Sequence, residues 1–387
     1  MSTNNKEEVY LDHGATTPVA KSVLEKMLPF FNQEFGNPSS PYTLGQRAKH
    51  EGLERSRETI AGYLDVDSQE IIFTSGATEA NNLAIKGLML NHSSGHFITT
   101  NIEHHAVLHP GRWLQKNGYA VTHLKADSKG LIDPDDLRSA IRKDTKLVSI
   151  MYANNEIGTV QPIGELSDIC RERGIPFHTD AVQAFGKFPL EIDNVDMLSA
   201  SAHKIYGPKG VGFLYRDKSL DLEPLFNGGG HEGGVRSGTE NVPGAVGMAA
   251  AVELLEEEGE GEIERQKQLR DKIIRQVEEI PNARLNGHRS KRIPNNVNTS
   301  FASIEGESLV MKLDNRGIAT STGSACSSPD LQASHVLLAI GLPAAKAHGS
   351  LRITLGRGNT AEQIDYFLDV LPQVVEELRE ASPFYSE

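Results

Sequence analysis

Ser201-Ala202-His203-Lys204-Ile205-Tyr206-Gly207-Pro208-Lys209-Gly210 stands between two apolar runs, Met197 to Ser201 and Val211 to Tyr215. Both runs have the length and character of strands, so the segment between them reads as a tight polar turn. It presents one lysine, Lys204, flanked by Ser201 and His203. A lysine held in this way is well placed to lose its proton and condense with an aldehyde. Taken alone, the same lysine would be an ordinary surface residue, so partners elsewhere in the chain decide its reading.

Working outward, further short apolar runs alternate with helical patterns from about residue 60 to 215. The strand candidates are Glu70–Thr74, Gly95–Thr100, Ala120–Leu124, Leu147–Tyr152, Pro176–Thr179, Met197–Ser201 and Val211–Tyr215. Helical patterns lie between several of them, over Glu79–Gly87, Asp135–Ile141 and Ile163–Arg173. This rhythm predicts an α/β fold with a largely parallel sheet and helices on both faces. The last two strands, joined by the tight turn, would add an antiparallel member. A Gly-rich stretch, Asn227 to Gly238, breaks the rhythm and precedes an apolar helix over Pro243–Leu255. The acidic run Glu253–Glu264 reads as a solvated helix face leading into a long charged helix that ends near Pro281. It also marks the passage to a second, α+β part.

The chain has 387 residues, enough for one large domain and a smaller one, and a formal net charge of −13. With no basic stripe to offset that charge, general nucleic-acid binding is not expected. Met1 to Glu8 is polar and mixed in charge, unlike a signal peptide. No apolar run approaches the roughly 18 residues of a spanning helix, so no membrane association is expected. The two cysteines, Cys170 and Cys326, build neither a disulfide framework nor an all-cysteine zinc site, which fits a reducing cytoplasm.

Five further segments carry chemistry. In Phe73-Thr74-Ser75-Gly76-Ala77-Thr78-Glu79-Ala80, a strand ends, Gly76 permits a sharp turn, and a helix begins near Thr78. Its first backbone N–H groups and the Thr78 hydroxyl suit a phosphate, although a plain capped helix start reads the same way. In His178-Thr179-Asp180-Ala181-Val182-Gln183, Asp180 closes a strand at the sheet edge where ligands gather. A carboxylate there can keep a heterocyclic nitrogen protonated, as pyridoxal phosphate requires, or it can simply cap a helix. Glu103-His104-His105 offers an imidazole able to stack on a planar cofactor and move protons, and only one of the adjacent histidines should reach it. Cys326 lies among small hydroxylated residues, Thr320 to Ser328, whereas Cys170 fits an apolar helical pattern and a buried, inert thiol. Arg352, in the strand-like run Leu351 to Gly356, suits a substrate carboxylate or an internal ion pair equally well.

Together these segments resemble the cysteine desulfurases of the NifS/IscS type, within class V of the aminotransferase-fold pyridoxal-phosphate enzymes. The resemblance runs from Tyr10-Leu11-Asp12 to about Ser382 and includes Ala15-Thr16-Thr17-Pro18, Gly36-Asn37-Pro38-Ser39-Ser40 and Asn154-Asn155-Glu156-Ile157-Gly158. Arg236-Ser237-Gly238-Thr239 and Gly323-Ser324-Ala325-Cys326 continue it. It implies a fold-type I architecture in which a large domain, residues 15–255, carries a mostly parallel seven-stranded sheet. Residues 1–14 and 256–387 would form the small domain.

The resemblance also implies roles. Lys204 would bond the cofactor pyridoxal 5'-phosphate, Asp180 would face its ring nitrogen, Gln183 its ring hydroxyl, and His104 its face. Ala77, Thr78, Ser201 and His203 would surround the phosphate, with Thr239 reaching in from a second subunit of a homodimer. Asn155 and Arg352 would hold the substrate carboxylate, and Cys326 would be the nucleophile. L-cysteine would then leave as L-alanine, with its sulfur retained as a persulfide on Cys326 and passed to an acceptor such as an iron–sulfur scaffold or a thiolation enzyme. No resident metal is expected, and Cys326 would ligate an iron–sulfur cluster only transiently. A selenocysteine lyase or another class V lyase or transaminase is the alternative. The chain departs from the commoner pattern at Asp12-His13-Gly14-Ala15, which would set His13 near the active site.

Overall fold

A computed structural model describes residues 8–322 and 333–382 of the chain. Its strands, in chain order, are β1 (Val9–Tyr10), β2 (Ile71–Thr74), β3 (His96–Thr100), β4 (Ala120–Leu124), β5 (Thr145–Ser149), β6 (Phe177–Asp180), β7 (Met197–Ser201), β8 (Gly212–Arg216), β9 (Ala283–Leu285), β10 (Asn296–Phe301), β11 (Ile318–Ala319) and β12 (Ser350–Thr354). Strands β2 to β8 form one seven-stranded sheet in the order β2-β8-β7-β6-β5-β3-β4. All its pairings are parallel except those of β8, which runs against both β2 and β7. The expected antiparallel member is therefore β8, and the carboxyl ends of β2, β3, β5, β6 and β7 share one edge.

Neighbouring residues on a strand point to opposite faces, and here both faces are covered. Ile98, Val148, Leu198 and Phe213 enter one core, packed with Ile60, Leu166 and Met248. Phe97, Leu147, Met197 and Leu214 enter the other, packed with Leu83, Val107 and Leu114. Strands buried on both sides show no polar alternation, which is why they stand out as continuous apolar runs.

One expectation needs correction. The strand expected over Leu147–Tyr152 is β5, Thr145–Ser149; Ile150 and Met151 are buried but lie beyond the ladder. The two helices expected around the acidic run follow one another over Val242–Glu278 and are separated at Gly259, where the backbone leaves helical geometry (φ 56°, ψ −156°). Glutamate is a good helix former, so the acidic run is helical on both sides of that glycine. Its Glu256, Glu257 and Glu260 are exposed, as a solvated face requires.

Beyond the bend the chain builds a second core. β9, β10 and β12 form an antiparallel sheet, and β1 pairs in parallel with β11. Val9 and Leu11 thus join Ile273, Val297, Leu351 and Phe367 in one cluster. On this basis we propose the domain division stated above, with the boundary near Gly259. Among the described residues, no helix is long and apolar enough to cross a membrane.

One buried polar residue in the sheet has a measurable consequence. His178 on β6 lies fully buried between Ser149 Oγ (2.8 Å) and Ser199 Oγ (3.0 Å), and burial pushes its pKa down to about 3. Because the folded value lies below the unfolded value of 6.5, the unfolded chain binds the extra proton as the pH falls. The stability associated with a neutral His178 is complete above pH ~6.5 and declines below it, by about 2 kcal/mol at pH 5. Urea midpoints measured at pH 7 and pH 5 should show this loss, and His178→Gln should reduce it. An equal loss in the variant would refute the assignment.

Candidate active site

The carboxyl ends of β2, β3, β6 and β7 open into a cavity of about 500 Å³. Ala77, Thr78, His104, Asn155, Asp180, Gln183, Ser201, His203, Lys204 and Arg352 all line it. Ten side chains singled out in the sequence therefore meet in one place, although they span residues 77 to 352.

Lys204 closes a single 3-10 turn, Ala202–Lys204, that follows directly from β7. Its Nζ donates to the carbonyls of Gly14 (2.6 Å) and Ala15 (2.7 Å). The N-terminal segment also clamps the turn: Thr17 N and Thr17 Oγ1 both donate to the His203 carbonyl, and Tyr206 N donates to Thr17 Oγ1 at 2.8 Å. Tyr206 itself adopts a left-handed conformation (φ 67°), which a β-branched residue would resist. These bonds fix where the lysine stem starts.

Asp180, the last residue of β6, accepts from Asn81 Nδ2 at 2.7 Å and from the Val182 amide at 3.1 Å. Both carboxylate oxygens are thereby held in place. Asn81 is fully buried and lies one helical turn past Thr78. The helix that carries them starts at Ala77 and has no side-chain cap. Gly76 makes that start possible at φ 148°, and Gly212 lets the strands approach closely, since a Cβ there would lie 2.8 Å from Gly76 Cα. The uncapped N-terminal amides of Ala77 and Thr78 border the cavity.

His104 caps the helix His105–Lys116, its Nδ1 accepting from the Ala106 amide at 3.1 Å. In the neutral ring the proton then resides on Nε2. Burial, and secondarily Lys204, hold its pKa below the ordinary imidazole range against the pull of Asp180. His105 turns away and stacks between His109 (5.1 Å) and His335 (5.0 Å). Only one of the adjacent histidines reaches the cavity.

Gln183 donates through Nε2 to the Gly14 carbonyl (3.0 Å) and accepts at Oε1 from Lys187 Nζ (2.7 Å). His203 pairs with Thr16 Oγ1 at 3.2 Å, and burial together with Lys204, Lys209 and Lys187 pushes its pKa down to about 4. Arg352, on β12, reaches across from the second core. Its guanidinium donates to Asp12 Oδ1 (2.8 Å) and to the Asn155 carbonyl (3.1 Å), while Nε is buried without a partner among the described residues. Both readings of Arg352 are thus combined in one side chain: it is ion-paired and it faces the cavity.

Not every expected residue is in this cavity. Thr239 is exposed and does not line it. Cys326 lies outside the described residues. Cys170 is buried, and burial pushes its thiol up to about 12. His13 lines a neighbouring cavity of about 420 Å³ instead, with Lys187 and Tyr206. Gly356 leaves room for its ring on that side, since a Cβ there would lie 2.4 Å from it. Lys204 forms part of both cavity walls. The sequence reading missed Asn81, Thr17 and the Gly14 and Ala15 carbonyls. Only Asn81 left a local signal, the three-residue spacing from Thr78 that places both on one helix face.

The donor set discriminates between ligands. Uncapped helix amides with Thr78, Ser201 and His203 suit a phosphate, a fixed carboxylate suits a protonated ring nitrogen, and a lysine lies between them. These residues fit pyridoxal phosphate.

The protein family described as Aminotransferase class-V matches residues 9–367. The curated "Cysteine desulfurase IscS" of Dictyoglomus turgidum is 53% identical over 387 residues, covering 99% of this chain and 98% of the relative. This chain belongs to the class-V aminotransferases, among the cysteine desulfurases. Solved structures agree with that placement. A "NifS-like protein" superposes with a TM-score of 0.90 at 38% identity, covering 96% of this chain and all of that one. A structure described as "SspA in complex with cysteine" gives 0.81 at 40% identity, covering 90% and 98% respectively. Members of the desulfurase family depend on pyridoxal phosphate, and Lys204, Asp180 and His104 line one cavity in this chain.

Proposed function

We propose that the protein removes sulfur from L-cysteine in a pyridoxal-phosphate-dependent reaction, releasing L-alanine and leaving a persulfide on Cys326 for transfer to an acceptor protein. The observation that carries this reading is the convergence of Lys204, Asp180 and His104 on one cavity at the carboxyl edge of the sheet. Pyridoxal phosphate, when bound, supplies a ring that withdraws electrons from an amino acid's α-carbon.

The chain's own residues would do the rest. Asp180, pinned by Asn81 and Val182, keeps the ring nitrogen protonated. The amides of Ala77 and Thr78, with Ser201 and His203, hold the phosphate. Arg352 and Asn155 orient the substrate carboxylate. Asp12 already fixes the guanidinium fork, so its remaining donors are presented in a set direction. Lys204 Nζ would accept the α-proton. The Cys326 thiolate would take the substrate's sulfur atom: an S–S bond forms, the bond from the β-carbon to sulfur breaks, and its electron pair stays with the β-carbon, which gains a proton; the α-proton returns from Lys204 to the α-carbon, and alanine leaves.

The reading includes a homodimer in which Thr239, exposed on its own chain, contributes to the partner's phosphate site. The presence of cysteine in the related complex supports the choice of substrate. Protein loaded with pyridoxal phosphate and given L-cysteine and a thiol reductant should produce alanine and sulfide in equal amounts. Transfer of the amino group without sulfide would overturn the proposal.

A further inference from the structure

Lys187 is a buried lysine that the mechanism above leaves unused. After Asp180 the chain turns tightly, with Gly186 at φ 74° and a Cβ there excluded by Leu255 Cδ1 and Ile205. The turn sends Lys187 inward, to 9% exposure, beneath the cavity that holds Lys204. Among the described residues its ammonium has one hydrogen-bond partner, Gln183 Oε1 at 2.7 Å, and no carboxylate. The charges that act on it are those of Lys204 and Arg352, and it acts in turn on His13; Tyr206, Glu256, Glu258, Glu260 and Glu262 line the same cavity, with Glu258 paired to Arg357 and Glu262 to Arg265, while Asp12 is engaged by Arg352. A buried cation with no opposite charge is costly to keep. Burial first, then Lys204 and Arg352, lower its pKa to about 7, and its own charge helps to lower that of His13.

We propose that Lys187 is a positioning residue: its ammonium fixes the carboxamide of Gln183 with Nε2 toward the cavity and disfavours a second positive charge on Lys204. The orientation follows from chemistry. An ammonium only donates, so it can hold only the oxygen end of the amide, and the nitrogen end is left for the Gly14 carbonyl and the cavity. The electrostatic part follows from like charges, since two nearby lysines in one low-dielectric pocket resist being protonated together, and a deprotonated amine is the reactive one. This inference rests on Lys204 being the residue that bonds pyridoxal phosphate.

The test uses the full-length protein loaded with pyridoxal phosphate and follows the pH midpoint of the bound cofactor's absorbance, which needs no turnover. Lys187→Met removes the cation and should raise the midpoint by about half a pH unit or more. Lys187→Arg keeps the cation and should leave it within about 0.2 unit of the parent. If Lys187→Met does not fold, the polar Lys187→Gln is held to the same expectation. A neutral variant that titrates at the parent's midpoint would overturn the inference, as would an Arg variant that shifts as far as the neutral one. A parent protein with no bound-cofactor band would instead remove the functional reading, and this inference with it.

Discussion

Lys204→Ala is expected to lower the rate of alanine formation from L-cysteine by about a thousandfold or more, with pyridoxal phosphate supplied in excess. Two losses combine. The cofactor loses its covalent anchor, and the α-proton loses its acceptor; a positioned general base alone typically contributes between a hundredfold and ten-thousandfold. Neighbouring amines offer no substitute. Lys187 is committed to Gln183, and Lys209 lines the cavity from beyond the turn, where the backbone clamp of Thr17 on His203 and Tyr206 does not aim it. The fold should survive, because the lysine lies on the cavity walls, outside the hydrophobic clusters. Initial rates of alanine release measure the effect. A loss smaller than tenfold would mean that another group accepts the proton.

Cys326→Ala is expected to abolish persulfide formation and to cut sulfide release from L-cysteine by about a hundredfold or more. Cofactor loading should remain intact, since the roles proposed above for holding the cofactor fall on other residues. The contrast between the two variants is informative: one loses the cofactor's anchor, the other only the sulfur acceptor. Cys170 cannot replace it, because that thiol is buried in the helix Ile163–Glu172 and burial keeps it protonated. Full sulfide release by the Cys326 variant would favour a selenocysteine lyase or another lyase in which no protein thiol takes part.

The main sheet was legible because its central strands are apolar on both faces: β7 was placed residue for residue, as was the half-buried edge strand β4, and the others within a few residues. Ends were harder where burial continues past the ladder, as at Ile150 and Met151 after β5. The two helices about the acidic run were legible but the point of separation was not, because charge patterning reports solvation and says little about where backbone geometry breaks; Gly259 marks that point. In the site, strand-end residues such as Asp180 and Ser201 could be anticipated, because parallel sheets gather ligands at that edge. Asn81 and Lys187 could not be assigned, since each acts through a side chain brought near by folding: Asn81 bonds Asp180 across 99 positions of sequence. His13 illustrates the same limit. Its neighbour Gly14 reaches the cofactor cavity while His13 itself turns to the adjacent one. The specific roles of the gathered residues came from the resemblance, because a lysine, an aspartate and a histidine at strand ends admit several chemistries.

The account stands on Lys204 as the amine that bonds the cofactor. Loading the protein with pyridoxal phosphate, reducing the linkage with borohydride and mapping the modified peptide tests this directly. The cofactor's mass should be found on Lys204; finding it on Lys187 or Lys209, or on no lysine at all, would contradict the account.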